Sequence, residues 1–282
     1  MGFASSPPPY LSVAPSPGRL VLTAFATGVS YASGGAGILD STNTGNNIPL
    51  SKQVQYFRST RSQMVAKLGS RTTALLSKSV FLFSVGSNDL FAFAAGQQRG
   101  GDADVAALYA SLVSNYSKSV RELHALGARK FAVINVGMLG CVPAVRLNDA
   151  SGACLDVLNS LAAGFDDVLA PALAGLASRL SGLVYSLADY YGFSAATFAD
   201  PRASGYTDVA DACCGGGRLG AEANCLPNAT VCTDRDKHAF WDRVHPCQRG
   251  AMLAAQNFYD SCPGRYTAPI NFKQLANTSL WS

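Results

Sequence analysis

Two continuous apolar runs, SVFLFSV at 79–85 and KFAVINV at 130–136, constrain this chain more than any other feature. A strand with one wet face alternates apolar and polar residues. A run that is apolar throughout is buried on both faces, as in a parallel sheet covered by helices. The flanking segments supply the helices. Residues 49–69 place Val54, Phe57, Met64 and Leu68 on one face, with Pro49 near the start and Gly69 at the stop. Residues 103–126 form a second amphipathic helix ending at Gly127, and 154–180 reads as a long helix broken at Pro171. LVYSLADYY at 183–191 is one more strand, with Asp189 near its carboxyl end, and 248–260 is a closing helix. GVSYA at 28–32 reads as a short strand entering the turn SGGAG. This alternation predicts an α/β layer fold with a mostly parallel sheet. Ligands in such sheets gather at the strands' carboxyl ends, where GSND (86–89) and DYY both fall.

The 282 residues, 48% of them hydrophobic, suffice for one large α/β domain or two small ones. Net charge is +4, from 22 basic and 18 acidic residues without a Lys/Arg cluster, so there is no case for a nucleic-acid partner. No apolar run reaches the roughly 18–20 residues that span a bilayer. The eight cysteines, Cys141, Cys154, Cys213, Cys214, Cys225, Cys232, Cys247 and Cys262, all lie in the second half. Zinc fits them poorly, because Cys213 and Cys214 are adjacent rather than spaced C-x-x-C and no His stands at ligand spacing. An even count in a loop-rich region favours disulfides and a secreted protein. The sequons at Asn115, Asn228 and Asn277 agree, as glycosylation candidates. The opening MGFASSPPPYLSVAPSP has no basic n-region and no apolar h-region, so it is not a signal peptide. For a disulfide-rich chain that implies a start lying further upstream.

Three histidines are available for acid–base chemistry. His124, in VRELHALGARK, sits near a helix C-terminus, where a cation suits the dipole. His238 follows Lys237 beside a surface loop and has no evident orienting acid. His245, in FWDRVHP, has Asp242 three residues earlier, close enough to hold Nδ1 while Nε2 faces a nucleophile. A capping Asp beside a surface His gives the same pattern. Asn88 in VGSNDL is either turn chemistry or an amide aimed at an oxyanion. ASGGAGIL at 32–39 is either a flexible loop or a backbone N–H donor that only Gly lets a substrate approach. No Lys or G-K-[ST] follows it, which sets a phosphate cradle aside.

Taken in order, the motifs PPPYLS, GVSYASGGAGILDST, IPLSKQVQYF, FSVGSNDL, LGARKFAVINVGMLGCVPA, ACLDVLN, DACCGGG and FWDRVHP resemble the landmarks of the plant GDSL esterase/lipases, within the SGNH hydrolases, over nearly the whole chain. The resemblance implies a three-layer α/β/α sandwich forming a single domain over 1–282, and a cofactor-free, metal-free ester hydrolase acting on small-molecule or lipid esters. It implies Gly35 (less so Gly34) and Asn88 as oxyanion donors, His245 as general base and acid, and Asp242 as its orienting carboxylate. Cys141, Cys154, Cys213, Cys214, Cys225 and Cys232 fall where the family has disulfide cysteines. The chain departs from the pattern at Ser30, where Asn is usual, and at His238, where Tyr is usual. Cys247 and Gln248 replace the Thr and Glu that usually follow His-Pro, so Cys247 and Cys262 form an extra pair, expected to bridge each other.

The largest departure is the nucleophile. The family's serine sits in a Gly-Asp-Ser-Leu-like motif after the first strand, ahead of the segment that PPPYLS matches, and no GDS occurs in these 282 residues. The expectation is therefore a domain lacking its first strand and its serine, both lying upstream. Ser30 in GVSYA approaches a G-x-S-x-G/A elbow, but SGGAG follows where a helix must begin. Ser87 would have to share its direction with Asn88. A non-catalytic, ester- or lipid-binding relative is the alternative reading.

Overall fold

The computed structural model describes residues 5–96 and 101–279. In chain order the helices are α1 (Tyr10–Val13), α2 (Pro17–Ala26), α3 (Leu50–Leu68), α4 (Arg71–Lys78), α5 (Ser87–Gly96) and α6 (Asp102–Ala125). They continue with α7 (Pro143–Arg146), α8 (Asp156–Arg179), α9 (Tyr190–Ala199), α10 (Gln248–Asp260) and α11 (Phe272–Asn277). The strands used below are β1 (Val80–Ser84), β2 (Lys130–Ile134), β3 (Val184–Ala188), β4 (Asp208–Ala212), β5 (Cys214–Gly215), β6 (Thr230–Val231) and β7 (His238–Phe240). The architecture is α/β with a mostly parallel sheet, consistent with an α/β/α sandwich. The chain divides into two compact units, the first comprising 1–133, 168–187 and 272–282, the second 134–167 and 188–271.

In the first unit β1, β2 and β3 lie side by side in that order. Hydrogen bonds from Val184 N–H to the Arg129 carbonyl and from Asn135 N–H to the Ala188 carbonyl advance together along β2 and β3, as parallel strands require. β2 is buried almost throughout. Phe81 and Phe83, two residues apart, point to one face of β1. There Phe57 of α3 meets Phe81 edge-on at 5.0 Å, Tyr116 of α6 meets Phe83 at 5.4 Å, and both β1 rings reach Phe131 of β2. This aromatic stack is the core that α3 and α6 close. The apolar run SVFLFSV implies burial on both sides, but β1 is an edge strand and Leu82, on its other face, is 59% exposed. The run reads as a central strand because its composition is that of one; among the described residues nothing pairs with its outer edge.

Two further expectations need correction. GVSYA is not a strand: Ser30 forms a single parallel bridge with Pro9, through bonds involving the Pro8 carbonyl and the Tyr10 N–H. Pro171 does not break α8, which runs through it. Pro171 lies on the exposed side, where the missing N–H leaves a carbonyl that water can satisfy. Among the described residues α8 is the one helix long and apolar enough by composition to cross a bilayer. Its buried positions Leu158, Ala162, Phe165, Leu169, Leu173 and Leu176 follow a three-or-four spacing, the stripe of a helix packed on one side.

The second unit is tied by three disulfides, Cys141–Cys154, Cys213–Cys232 and Cys214–Cys225. The adjacent Cys213 and Cys214 thus anchor two overlapping loops, reinforced by antiparallel β5 and β6, and none of these sulfurs is left for zinc. The expected Cys247–Cys262 bridge is absent. Cys247 caps the start of α10 and Cys262 lies just beyond its end, so a 13-residue helix separates them. At about 1.5 Å per residue that is roughly 20 Å, against the ~7 Å limit between Cα atoms that a disulfide can span.

Two outcomes follow. An apolar, uncharged edge invites pairing with other chains, so the isolated protein should be poorly soluble or melt without cooperativity, and Leu82→Lys should raise its soluble fraction. A sharp cooperative melt of the unmodified chain would rule this out. Burial pushes the Cys247 thiol up to about 11, which keeps it protonated and inert, whereas Cys262 is exposed. Mass mapping under non-reducing conditions should therefore find three bridges, with Cys262 alkylated in the native protein and Cys247 only after unfolding.

Candidate active site

Within the first unit, the turn SGGAG and the start of α5 come together. Asn88 Nδ2 donates to the Ala36 carbonyl at 2.9 Å. An amide nitrogen carries two hydrogens, so this bond fixes the plane of the Asn88 amide and leaves one N–H to give. Gly35 has φ +73°, a conformation that suits glycine, and its carbonyl accepts from Asn43 Nδ2 at 2.9 Å. The Gly35 N–H donates to no protein acceptor among the described residues, as a ligand-directed amide requires.

The residue that organises this loop is Asp89. It is 2% exposed, and its carboxylate accepts from Ile38 N–H at 2.8 Å, Leu39 N–H at 3.0 Å and Thr42 Oγ1 at 2.6 Å. Three donors replace the water that a buried carboxylate forfeits. Gly37 is required beside it, since a Cβ there would lie 2.5 Å from Asp89 Oδ1 and 2.6 Å from Thr42 Cβ. The sequence signal was the run STNTGNN: Asn47 Nδ2 also holds the Thr42 and Asn43 carbonyls.

Within the second unit, Asp242 and His245 form the expected pair. Nδ1 of His245 lies 2.9 Å from Asp242 Oδ2 and 3.0 Å from Oδ1. Oδ1 also accepts the N–H groups of Val244 and His245, both at 2.9 Å. Burial pushes the Asp242 carboxyl up, but these backbone and ring hydrogen bonds outweigh it and hold it below the usual carboxylate range. Asp242 is therefore ionised at neutral pH and fixes the tautomer with hydrogen on Nδ1. The His245 side chain is 72% exposed and its Nε2 meets no protein partner among the described residues. Trp241 N–H donates to the His245 carbonyl, and Cys247 N–H to the Ala239 carbonyl, so β7 and the start of α10 clamp the loop at both ends. Arg235 stacks over the Trp241 ring at 4.9 Å.

The other histidines have structural surroundings. His124 Nε2 contacts the Ser181 carbonyl at 2.9 Å from the last turn of α6. His238 does have an acid: parallel pairing of β4 with β7 sets it beside Asp208, with Nδ1 3.8 Å from Oδ2. Thirty residues of sequence hid that neighbour. Ser30 leads into a turn rather than a helix, which removes the elbow geometry. Asp189 caps α9 by accepting from Gly192 N–H, and Asn135 Oδ1 accepts from Tyr190 and Tyr191 N–H, so the strand-end polar groups of DYY serve the helix start.

Close by, Asp166 Oδ1 accepts from Val136 N–H while Oδ2 is buried without a partner. Burial pushes its carboxyl up to about 8, opposed by the Val136 bond and reinforced by Asp189 and Asp167. The folded state thus keeps a proton that an unfolded aspartate sheds near pH 4, so this group costs stability as pH rises from about 4 to about 8. We expect the infrared carbonyl band of one protonated carboxylic acid at pH 7, fading near pH 8 and missing in Asp166→Asn.

Compared with known proteins, the chain matches the family described as GDSL-like Lipase/Acylhydrolase over residues 9–258. It is 34% identical to the GDSL esterase/lipase At5g55050 of Arabidopsis thaliana, an alignment covering 96% of this chain and 74% of that relative. It is 32% identical to the GDSL esterase/lipase At1g33811 of the same plant, over 98% of this chain and 76% of the relative. A match of this extent, joined to an α/β fold and a bonded Asp–His pair, places the chain in the GDSL lipase/acylhydrolase family.

Proposed function

We propose that this chain carries the acid–base and oxyanion parts of a serine ester hydrolase whose nucleophile lies outside its 282 residues. The observation that carries the reading is the Asp242–His245 pair, with Nδ1 held by both carboxylate oxygens and Nε2 free in solvent. In that mechanism a serine attacks the ester carbonyl as His245 Nε2 takes its proton. The imidazolium so formed is stabilised by Asp242, and the Gly35 N–H and the free Asn88 N–H receive the oxyanion. The tetrahedral intermediate collapses, His245 gives the proton to the departing alcohol, and an acyl-enzyme remains. Water, deprotonated by His245, then releases the acid. The substrate class is a small-molecule or lipid ester. Secretion accords with three disulfides and with exposed sequons at Asn115, Asn228 and Asn277, which we propose as glycosylation sites.

The second reading is an ester- or lipid-binding protein without turnover. Hydrolysis of p-nitrophenyl butyrate separates the two. The chain alone should be inactive, since losing such a nucleophile costs on the order of 10⁶ in kcat. A form extended upstream to include a Gly-Asp-Ser segment should be active, and in it Asp242→Asn should lower kcat by about 10⁴ through the wrong tautomer. An inactive extended form gives the protein to the binding reading. Activity in the short chain that Ser30→Ala abolishes would place the nucleophile at Ser30 instead.

A further inference from the structure

A groove of about 450 Å³ opens beside the dyad, lined by Ala144, Asn224, Cys225, Asp242, Arg243 and Val244. We infer that it is an anion-binding subsite, taking the carboxylate or phosphate carried at the non-reacting end of an ester; this rests on the hydrolase reading above. The argument begins with Arg243, the residue between the acid and the base. Its guanidinium Nη1 donates to Asn224 Oδ1 at 3.0 Å; Nε is sealed from water and faces no ligand, which leaves the second Nη1 hydrogen and the Nη2 hydrogens to give. Among the described residues the ion pairs are Arg58–Glu122, His238–Asp208 and His245–Asp242, so no carboxylate neutralises Arg243. Asp242 is adjacent, but its bonds run the other way: Oδ1 accepts the Val244 and His245 N–H groups, and both oxygens hold the His245 ring. A half-buried cation whose partner among the described residues is a neutral amide keeps its outer Nη hydrogens, in one plane, to offer, and a carboxylate or phosphate accepts such hydrogens in pairs.

The walls are set before any ligand arrives. The Arg243 carbonyl accepts the Ala144 N–H at 2.9 Å, and Asn224 precedes Cys225, which is bridged to Cys214. A preset site loses little ordering entropy on binding. Ala144 and Val244 supply apolar contact for the few carbons between anion and ester, and the volume suits a small molecule. An ester anchored here lies along the loop that presents His245.

Calorimetric titration of the protein tests this with monoethyl succinate against neutral diethyl succinate, and with glycerol 3-phosphate against glycerol. Saturable binding of the charged member of a pair, weakened at least ~10-fold by Arg243→Gln and weakened by salt, is the expected result. Binding of the succinate alone identifies a carboxylate site and of the glycerol phosphate alone a phosphate site. Asn224→Asp supplies a competing internal carboxylate and should also suppress binding, which covers the case in which Arg243→Gln fails to fold. Equal binding of charged and neutral probes, no saturable binding, or binding untouched by both variants would overturn the subsite. Binding requires no nucleophile. Anion binding by an extended form that hydrolyses no ester therefore sinks the hydrolase reading alone, and hydrolysis without anion binding sinks the subsite alone.

Discussion

A carboxylate withdrawn from water must find N–H or O–H donors, and one loop in each unit is organised around that requirement. Asp89, buried under the SGGAG turn, gathers two backbone amides and a threonine hydroxyl. Asp242 gathers two backbone amides and an imidazole. In each case a loop without regular secondary structure takes its shape from one acidic residue: Asp89, which follows Asn88, and Asp242, which precedes His245 by three. Hydrogen bonds to a buried charge make such loops stiff at their centres.

The parts of the fold set by local pattern were legible in the sequence. The helix over Leu50–Leu68, β2 and α10 follow from apolar spacing and stop signals, and the Asp-x-x-His turn follows from its own four residues. The parts set by distant partners were not. SVFLFSV reads as a buried strand because its side chains are those of one, yet burial depends on what lies alongside, and Leu82 shows that one side is open. The acid beside His238 arrives through parallel pairing of β4 with β7, which no spacing rule reveals. Cys247 and Cys262 looked like partners by elimination, and a rigid helix between them forbids it. Pro171 looked like a break because its cost was counted without its exposed position.

The second unit shows how a loop-rich region can be held without a large sheet. Residues 213–232 are bridged twice, and β7 lies alongside β4 just ahead of them. Loops of 11 to 19 residues closed by disulfides contribute about 3 kcal/mol each by restricting the unfolded chain. That constraint ends next to Asn224 and, through the Cys214 N–H bond to the Trp241 carbonyl, next to the FWDRVHP loop. The covalent framework therefore delivers its rigidity next to the Asp242–His245 turn.

The turn at 242–245 has a consequence for substitution. Asp242 accepts the backbone amides of Val244 and His245 as well as the imidazole, so it shapes the loop whether or not a proton is ever relayed. The histidine is held in register because its own amide belongs to the same turn. Loss of the carboxylate would release two backbone amides together with the ring, so Asp242 is as much a structural member of this loop as a partner of His245.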